Sequence, residues 1–257
     1  MKKKRKKKWR KGKFIYFCEY ALIYSAMFLF RIVPFSFMNL FSHFLAYLLY
    51  IFVPSRRRVA IDNIRNAFNG QKDEKEIKHI ALQSFHSFFL MLSEILKFRF
   101  LSKEASGDQN SLEITEEIKK LFQKAKKIHD ESKGCIFITP HIGNWELLLY
   151  ASAVIGIPLA IVVRPLDNIF LENMLFKNRS ASGQIIIKKK NALFTLKNFL
   201  RKGKSIGILP DQGTMKGIAV NFFGRKANTT PLPAVLAVTY QRPIVVVACC
   251  RKNNSFQ

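Results

Sequence analysis

The chain has 257 residues, with 43 Lys and Arg against 17 Asp and Glu, so its formal net charge at pH 7 is +26. Hydrophobic residues make up 49% of it, which excludes a disordered chain, because such chains lack the apolar side chains of a core. The four cysteines lack zinc-site spacing and are too few for a disulfide-stapled secreted module, which favours reduced thiols in a protein that faces the cytosol.

The positive charge predicts an anionic partner or an anionic surface. Ten of the basic residues lie in residues 1–13 (MKKKRKKKWRKGK), a low-complexity tail. The tail leads directly into an apolar segment, residues 14–53, and a second basic cluster, Arg56–Arg57–Arg58, follows that segment. The anionic cytoplasmic leaflet attracts basic residues beside a hydrophobic segment, at about 1 kcal/mol per charge. We therefore expect a membrane-anchoring segment at 14–53 and an anionic membrane surface as a partner.

The anchoring segment is long enough for one or two membrane spans. Polar residues and a proline interrupt it, namely Glu19, Pro34, Asn39 and His43. A single pass would have to translocate one of the two basic clusters, so we expect a helical hairpin or helices that lie in the interface. The alternative is an ordinary buried pair of helices. A cleaved signal peptide is not expected, because the apolar part is too long and no cleavage site follows it.

Residues 54–133 form a helical region. A short helix follows Ser55, a candidate N-cap, and residues 74–100 carry apolar side chains at helical spacing. The polar residues 101–110 are expected to be a connector, and residues 114–128 a basic amphipathic helix.

From residue 134 onward, short apolar runs rich in β-branched residues alternate with helical segments. This alternation is typical of an α/β fold with a largely parallel sheet flanked by helices. Gly203 is expected at the C′ position of one helix and Asn191 at an N-cap. Residues 218–227 favour a hairpin or an extended insert. The predicted strands are 135–139, 159–163, 184–187, 205–209 and 244–248, and the predicted helices are 145–155, 168–182, 192–202 and 232–240.

Residues 139–148 (TPHIGNWELL) lie between a predicted strand and a predicted helix. Pro140 ends the strand, His141 falls in the turn, and Glu146 falls in the first helical turn. This turn lets Glu146 accept a hydrogen bond from one imidazole nitrogen while the other faces a substrate, as in general-base catalysis on an alcohol. The alternative is a loop histidine that happens to precede a helix. Metal binding is not expected, since HExxH and other ligand spacings are absent, and phosphate-binding loops are absent too.

Four motifs in order carry a family resemblance: HIGNWE, VVRPLDN, NRSASG and LPDQGT. Together they resemble the late acyltransferases of lipid A biosynthesis, the lauroyl and myristoyl transferases related to the lysophospholipid and glycerolipid acyltransferase superfamily. The resemblance implies a glycerolipid-acyltransferase-like fold with its catalytic core at residues 134–257. It also implies an enzyme of the cell inner membrane, active at the cytoplasmic face. Such an enzyme moves a fatty acyl chain from acyl carrier protein to a hydroxyl of a phosphorylated glycolipid acceptor.

The resemblance also implies roles for individual residues. His141 and Glu146 correspond to the catalytic histidine and its acidic partner, and Arg164, Arg179 and Asp211 to substrate-binding residues. Arg164 and Asp211 each follow a predicted strand, at the edge where open parallel sheets bind ligands. Otherwise the two arginines would be surface cations and Asp211 a turn residue before Gly213. No cofactor is implied, because the acyl thioester on the carrier protein is already activated.

Relatives with this pattern carry a further strand and helix after the segment that ends this chain. We therefore expect the C-terminal cover of the sheet to be short here, which bears on stability and activity. Two alternatives stay open. One is a lysophospholipid or glycerol-phosphate acyltransferase, a branch that typically has Asp in place of Glu146. The other is a non-enzymatic, basic, membrane-anchored binding protein, although no nucleic-acid-binding motif is present.

Overall fold

The computed structural model describes residues 12–104, 116–181, 183–188, 192–215, 217–249, 251–252 and 255–256. Within these residues an N-terminal group of helices precedes an α/β unit. The helices are α1 (Lys13–Ile32), α2 (Phe35–Phe52), α3 (Pro54–Phe68), α4 (Glu74–Glu104), α5 (Glu116–Ser132), α6 (Trp145–Val154), α7 (Ile169–Ala181), α8 (Ala192–Arg201) and α9 (Leu232–Tyr240). The strands are β1 (Ile136–Ile138), β2 (Ala160–Val163), β3 (Ile185–Lys188), β4 (Ile206–Ile208), β5 (Ile218–Phe222), β6 (Arg225–Thr229), β7 (Ile244–Val246), β8 (Arg251–Lys252) and β9 (Ser255–Phe256).

The apolar segment 14–53 forms two helices that break at Pro34. Pro34 lies at the start of α2, because proline cannot continue α1 but suits a helix N-terminus. Of the described helices, only α2 is long and apolar enough to cross a membrane, and 17% of its 18-residue window is buried. Large exposed apolar side chains are concentrated on α1 and α2; they include Phe14, Leu22, Leu29, Ile32, Leu40 and Phe52.

The α/β unit is built on a five-stranded sheet in the order β3-β2-β4-β1-β7, with every neighbouring pair parallel. Consecutive residues of β1 point to opposite faces, where they join different cores. Ile136 packs with residues of α8 and α9 on one face. Phe137 packs with residues of α5 and α6 on the other face. The predicted α/β fold with a mostly parallel sheet between helices is therefore confirmed.

Two glycines let β1 and β4 enter the sheet side by side. Gly134 and Gly203 both have positive φ angles, of 94° and 72°, which L-residues rarely adopt. A Cβ atom at Gly134 would lie 2.8 Å from the carbonyl carbon of Gly203 and from the oxygen of Lys204. The two segments therefore approach too closely for a side chain at Gly134, and β1 pairs with β4 from Ile136 onward.

Most predicted element bounds agree with the structure to within two residues, and two details differ. Ser55 is not an N-cap, because α3 already begins at Pro54, with Val53 in the capping position. Residues 101–104 of the predicted connector are helical, because α4 continues to Glu104, and the rest of it lies outside the described residues. The predicted N-cap at Asn191 and the basic tail up to residue 11 lie outside the described residues.

The extended insert is a two-stranded antiparallel hairpin, β5–β6, with Ile218 opposite Thr229 and Phe222 opposite Arg225. It lies between β4 and α9 in the chain and contacts α3. The Asn66 amide donates to the Phe223 carbonyl at 2.7 Å, and Arg225 pairs with Asp62 at 2.6 Å. The insert is thus joined to the N-terminal helices.

His129, at the end of α5, predicts a pH dependence of folding. Its Nδ1 lies 2.7 Å from Ser205 Oγ, which accepts from the Cys135 amide at 2.9 Å. Burial lowers the pKa of His129 below its usual value. The imidazole of His129 therefore binds a proton more readily in the unfolded chain than in the folded one. The contribution of His129 to the free energy of unfolding is therefore retained above the pKa of histidine in the unfolded chain, about 6.5. It is lost as the pH falls below that pKa.

We expect the unfolding temperature of the wild type to fall more steeply than that of His129→Asn between about pH 7.5 and about pH 5.5. The matched control is His79→Asn, which replaces an exposed histidine on α4 and should keep the wild-type slope. Equal slopes for the wild type and His129→Asn would contradict this prediction.

Candidate active site

The predicted site residues gather at the carboxyl edge of the sheet. His141 follows β1, and Asp211 follows β4, which is the neighbour of β1. The connection from β1 to β2 passes across β4, and the connection from β4 to β7 passes across β1, so the two connections cross the pair in opposite directions. Open parallel sheets bind their ligands outside the carboxyl ends of their strands. The fold therefore places His141 and Asp211 at its natural ligand-binding position.

His141 and Asp211 contact each other directly. The imidazole Nδ1 lies 2.7 Å from Asp211 Oδ1, and the backbone amide of His141 donates to Oδ2 at 2.8 Å. Because a carboxylate only accepts, Nδ1 carries a proton, and in the neutral imidazole Nε2 then presents a lone pair. The Gln212 amide nitrogen lies 3.3 Å from that Nε2. The side chains of His141 and Asp211 are 29% and 36% exposed, so a substrate can reach them.

Glu146 has a different partner from the one predicted. It pairs with Arg179, whose Nη2 lies 2.5 Å from Oε1 and whose Nε lies 3.3 Å from Oε2. This two-pronged geometry is the strongest form of a carboxylate–guanidinium contact. Glu146 lies in the first turn of α6 and Arg179 in the last turn of α7, where each charge complements the helix dipole.

The predicted hydrogen bond between Glu146 and the imidazole is therefore wrong. The spacing in HIGNWE made that contact plausible, but the His141 ring turns towards the neighbouring strand and Glu146 turns towards α7. The structure brings the four residues together as two pairs, His141 with Asp211 and Glu146 with Arg179.

Arg164 lies further along the same edge, directly after β2. With Arg179 it lines a cavity of about 250 Å³ between β2, β3 and α7. Glu172 and five apolar side chains form the rest of the wall. The apolar ones are Val163, Leu166, Leu175, Phe176 and Ile186. The cavity joins two guanidinium groups to apolar surface, which suits an amphipathic ligand.

A buried amide fixes the start of α6. Asn144 has no exposed surface; its Oδ1 accepts from the Leu147 amide at 3.4 Å, and its Nδ2 donates to Glu94 Oε2 at 2.9 Å. Glu94 is also buried, on α4. The next residue after Asn144, Trp145, lies edge-on to the His141 ring, with 4.8 Å between the ring centroids. The helical region thus helps to position the site.

Sequence reasoning missed Glu94, Trp145 and Gln212 as parts of this site. Glu94 had a signal, because it is an acidic residue in an otherwise apolar helical run, FFLMLSEIL. The side chains of Trp145 and Gln212 lie inside the quoted motifs but were given no role. Among the described residues no group of three or more His, Cys, Asp or Glu could hold a metal ion.

We expect Glu94→Ala to destabilise the protein by about 1–3 kcal/mol, because the Asn144 amide would lose a buried acceptor. Glu74→Ala is the matched control: Glu74 is on the same helix, but its bond to Arg65 is exposed, so the loss should stay below about 1 kcal/mol. Chemical denaturation of both variants measures the difference. Equal losses would show that the Glu94–Asn144 bond contributes no more than a surface pair.

The comparisons with known proteins give the family. The family model described as bacterial lipid A biosynthesis acyltransferase matches residues 3–257, nearly the whole chain. A search of individual curated proteins finds no match. The matched range includes both side-chain pairs and the hairpin. The chain therefore belongs to the bacterial lipid A biosynthesis acyltransferase family, and its activity class is acyl transfer.

Proposed function

We propose that this protein transfers a fatty acyl chain from acyl carrier protein to a hydroxyl of a lipid A precursor, at the cytoplasmic face of the inner membrane. The single observation that carries the proposal is the His141–Asp211 pair, with Nδ1 bonded to the carboxylate at 2.7 Å at the carboxyl edge of the sheet. The family match supports lipid A biosynthesis as the context.

In the proposed mechanism His141 is the general base. Nε2 takes the proton of the acceptor hydroxyl, and the hydroxyl oxygen attacks the thioester carbonyl carbon. The C–S bond then breaks, and the imidazolium returns the proton to the leaving thiolate. Asp211 holds the imidazole in the required tautomer and stabilises its positive charge, a role that the sequence-based hypothesis gave to Glu146. A hydroxyl that approaches Nε2 replaces the Gln212 amide, 3.3 Å away.

The oxyanion that forms during the attack needs hydrogen-bond donors. Backbone amides at residues 143–145 lie where α6 starts, and free amides at a helix N-terminus favour negative charge. Glu146 and Arg179 flank this position as a neutral ion pair. We assign the pair to orienting the polar part of the substrate, because its charges compensate each other and Arg179 also lines the neighbouring cavity.

The cavity beside the ion pair is proposed to receive part of the lipid substrate. Its 250 Å³ is below the roughly 300–1,000 Å³ of sites that enclose a whole small ligand. Arg164 and Arg179 suit a phosphate group, and the apolar wall suits an acyl chain. An acceptor that combines both would use both kinds of surface.

Positive charge supports the proposed donor and location. Lys120, Lys124 and Lys127 are exposed along α5, and a basic helix of this kind attracts an acidic carrier protein. The apolar helix α2 ends next to the basic first turn of α3, as expected at an anionic cytoplasmic leaflet.

Mass spectrometry of lipid A tests the function. Deleting the gene from its host should remove one acyl chain from lipid A, and the wild-type gene should restore it. His141→Ala should not restore it, because loss of a general base lowers the rate about 10²- to 10⁴-fold. Asp130→Asn is the control, since Asp130 lies before β1, at the opposite edge of the sheet. Unchanged lipid A after deletion would refute the function.

Asp211→Asn tests the assignment of the imidazole partner. An amide nitrogen would donate to Nδ1 and move the ring proton to Nε2, so kcat should fall about 10²-fold or more with purified enzyme and acyl carrier protein thioester. Asp130→Asn should keep the wild-type kcat. If Glu146→Gln abolished turnover while Asp211→Asn left kcat unchanged, Glu146 would be the partner instead.

A further inference from the structure

The tip of the β5–β6 hairpin exposes two aromatic rings. None of the ten strand residues is buried, and Phe222 and Phe223 are 63% and 59% exposed. Their ring centroids lie 4.6 Å apart, so the two rings form one continuous apolar patch. Contiguous apolar surface that projects from a fold marks a contact with another molecule or with a membrane.

The turn itself does not explain an aromatic residue at this position. Phe223 and Gly224 both have positive φ angles, of 48° and 76°, as in the type I′ turn of tight hairpins. Asn, Asp or Gly suits the first of these positions, whereas a bulky side chain is disfavoured there. The Phe223 ring is therefore better explained by what it contacts beyond the hairpin.

The tip is fastened to α3. The Asn66 amide donates to the Phe223 carbonyl at 2.7 Å, and the Arg225 guanidinium binds both oxygens of Asp62, at 2.6 and 3.3 Å. Asp62 and Asn66 are four residues apart, so they lie on the same face of α3. The aromatic tip therefore has a defined position beside this helix.

Helix α3 starts where the candidate membrane span ends. Val53, between α2 and α3, has φ −120° and ψ 71°, so α3 does not continue the axis of α2. Arg57 Nη1 donates to the Tyr50 carbonyl at 3.2 Å, and its guanidinium lies 5.3 Å from the Tyr50 ring centroid. The basic cluster 56–58 is thus held at the end of α2, the level at which lipid headgroups lie around a membrane-spanning helix.

We propose that Phe222 and Phe223 insert into the lipid bilayer as a second membrane contact, held by α3, the helix that follows α2. The partner is a bilayer with anionic headgroups: the rings would lie at the boundary of headgroups and acyl chains, and the exposed Lys226 and Arg58 would face lipid phosphates. This inference rests on the proposed membrane location of α2 and not on the acyl-transfer reaction.

The contact would orient the active site. The base of the hairpin is bonded to the loop after Asp211, because the Thr214 amide donates to the Asn228 carbonyl at 3.0 Å. A Cβ atom at Gly217 would lie 2.6 Å from the Thr229 oxygen, so the two ends of the hairpin are closely packed. A tip in the bilayer therefore fixes the loop that carries Asp211 close to the membrane surface.

Tryptophan fluorescence in vesicles tests the contact. Full-length protein carrying Phe222→Trp would be reconstituted in phosphatidylcholine and phosphatidylglycerol vesicles, with bromine at a shallow or a deep position of the acyl chains. After subtraction of the parent signal, shallow bromines should lower the added emission at least about twofold, and deep bromines less, since aromatic side chains favour the interface. Phe222 lies in ordinary strand backbone, so this replacement leaves the turn intact.

Asn228→Trp is the matched control, an exposed position on the same hairpin, about 10 Å along the strands from Phe222. Its added emission should not change with brominated lipid. Equal absence of quenching at both positions would overturn the proposal, as would a Phe222→Trp signal that changed with acyl carrier protein but not with brominated lipid. Trypsin resistance of both reconstituted variants confirms folding, and because acyl transfer is not measured, failure of the proposed reaction would not alter the result.

Discussion

The parallel pairing of β1 with β4 is the contact on which the site depends. Ile136, Phe137 and Ile138 lie opposite Ile206, Gly207 and Ile208, and this register brings the loops after the two strands to one point. The close approach at Gly134 and Gly203 fixes how the strands enter the sheet. A side chain at Gly134 would shift β1 against β4, and the His141–Asp211 bond at the other end of the strands would change with it.

Helices of the N-terminal region make contacts that hold parts of the α/β unit in place. The buried Glu94–Asn144 bond joins α4 to the start of α6, and the Arg225–Asp62 pair joins the hairpin to α3. These contacts link residues that are 50 and 163 positions apart in the chain. Packing of the apolar helices is therefore coupled to the geometry of the residues that carry the chemistry.

The sequence patterns predicted the α/β fold, because alternation of β-branched runs and helical segments is a local property. The motifs that carry the family resemblance led to each residue of the two side-chain pairs, but not to the correct partners. Glu146 is five positions from His141, whereas Asp211 is 70 positions away, and only the order of strands in the sheet makes them neighbours. Glu94 was missed for the same reason, since its partner Asn144 belongs to another part of the chain.

The first helix has a consequence for work on shortened forms of the protein. The Asn168 amide, just before α7, donates to the Tyr16 carbonyl and to Glu19 on α1, and Phe170 packs against the rings of Phe17 and Tyr20. Removal of α1 to obtain a water-soluble fragment would strip these partners from the beginning of α7, whose last turn carries Arg179. Measurements on such a fragment would therefore describe a protein in which α7 is less firmly held than in the full-length chain.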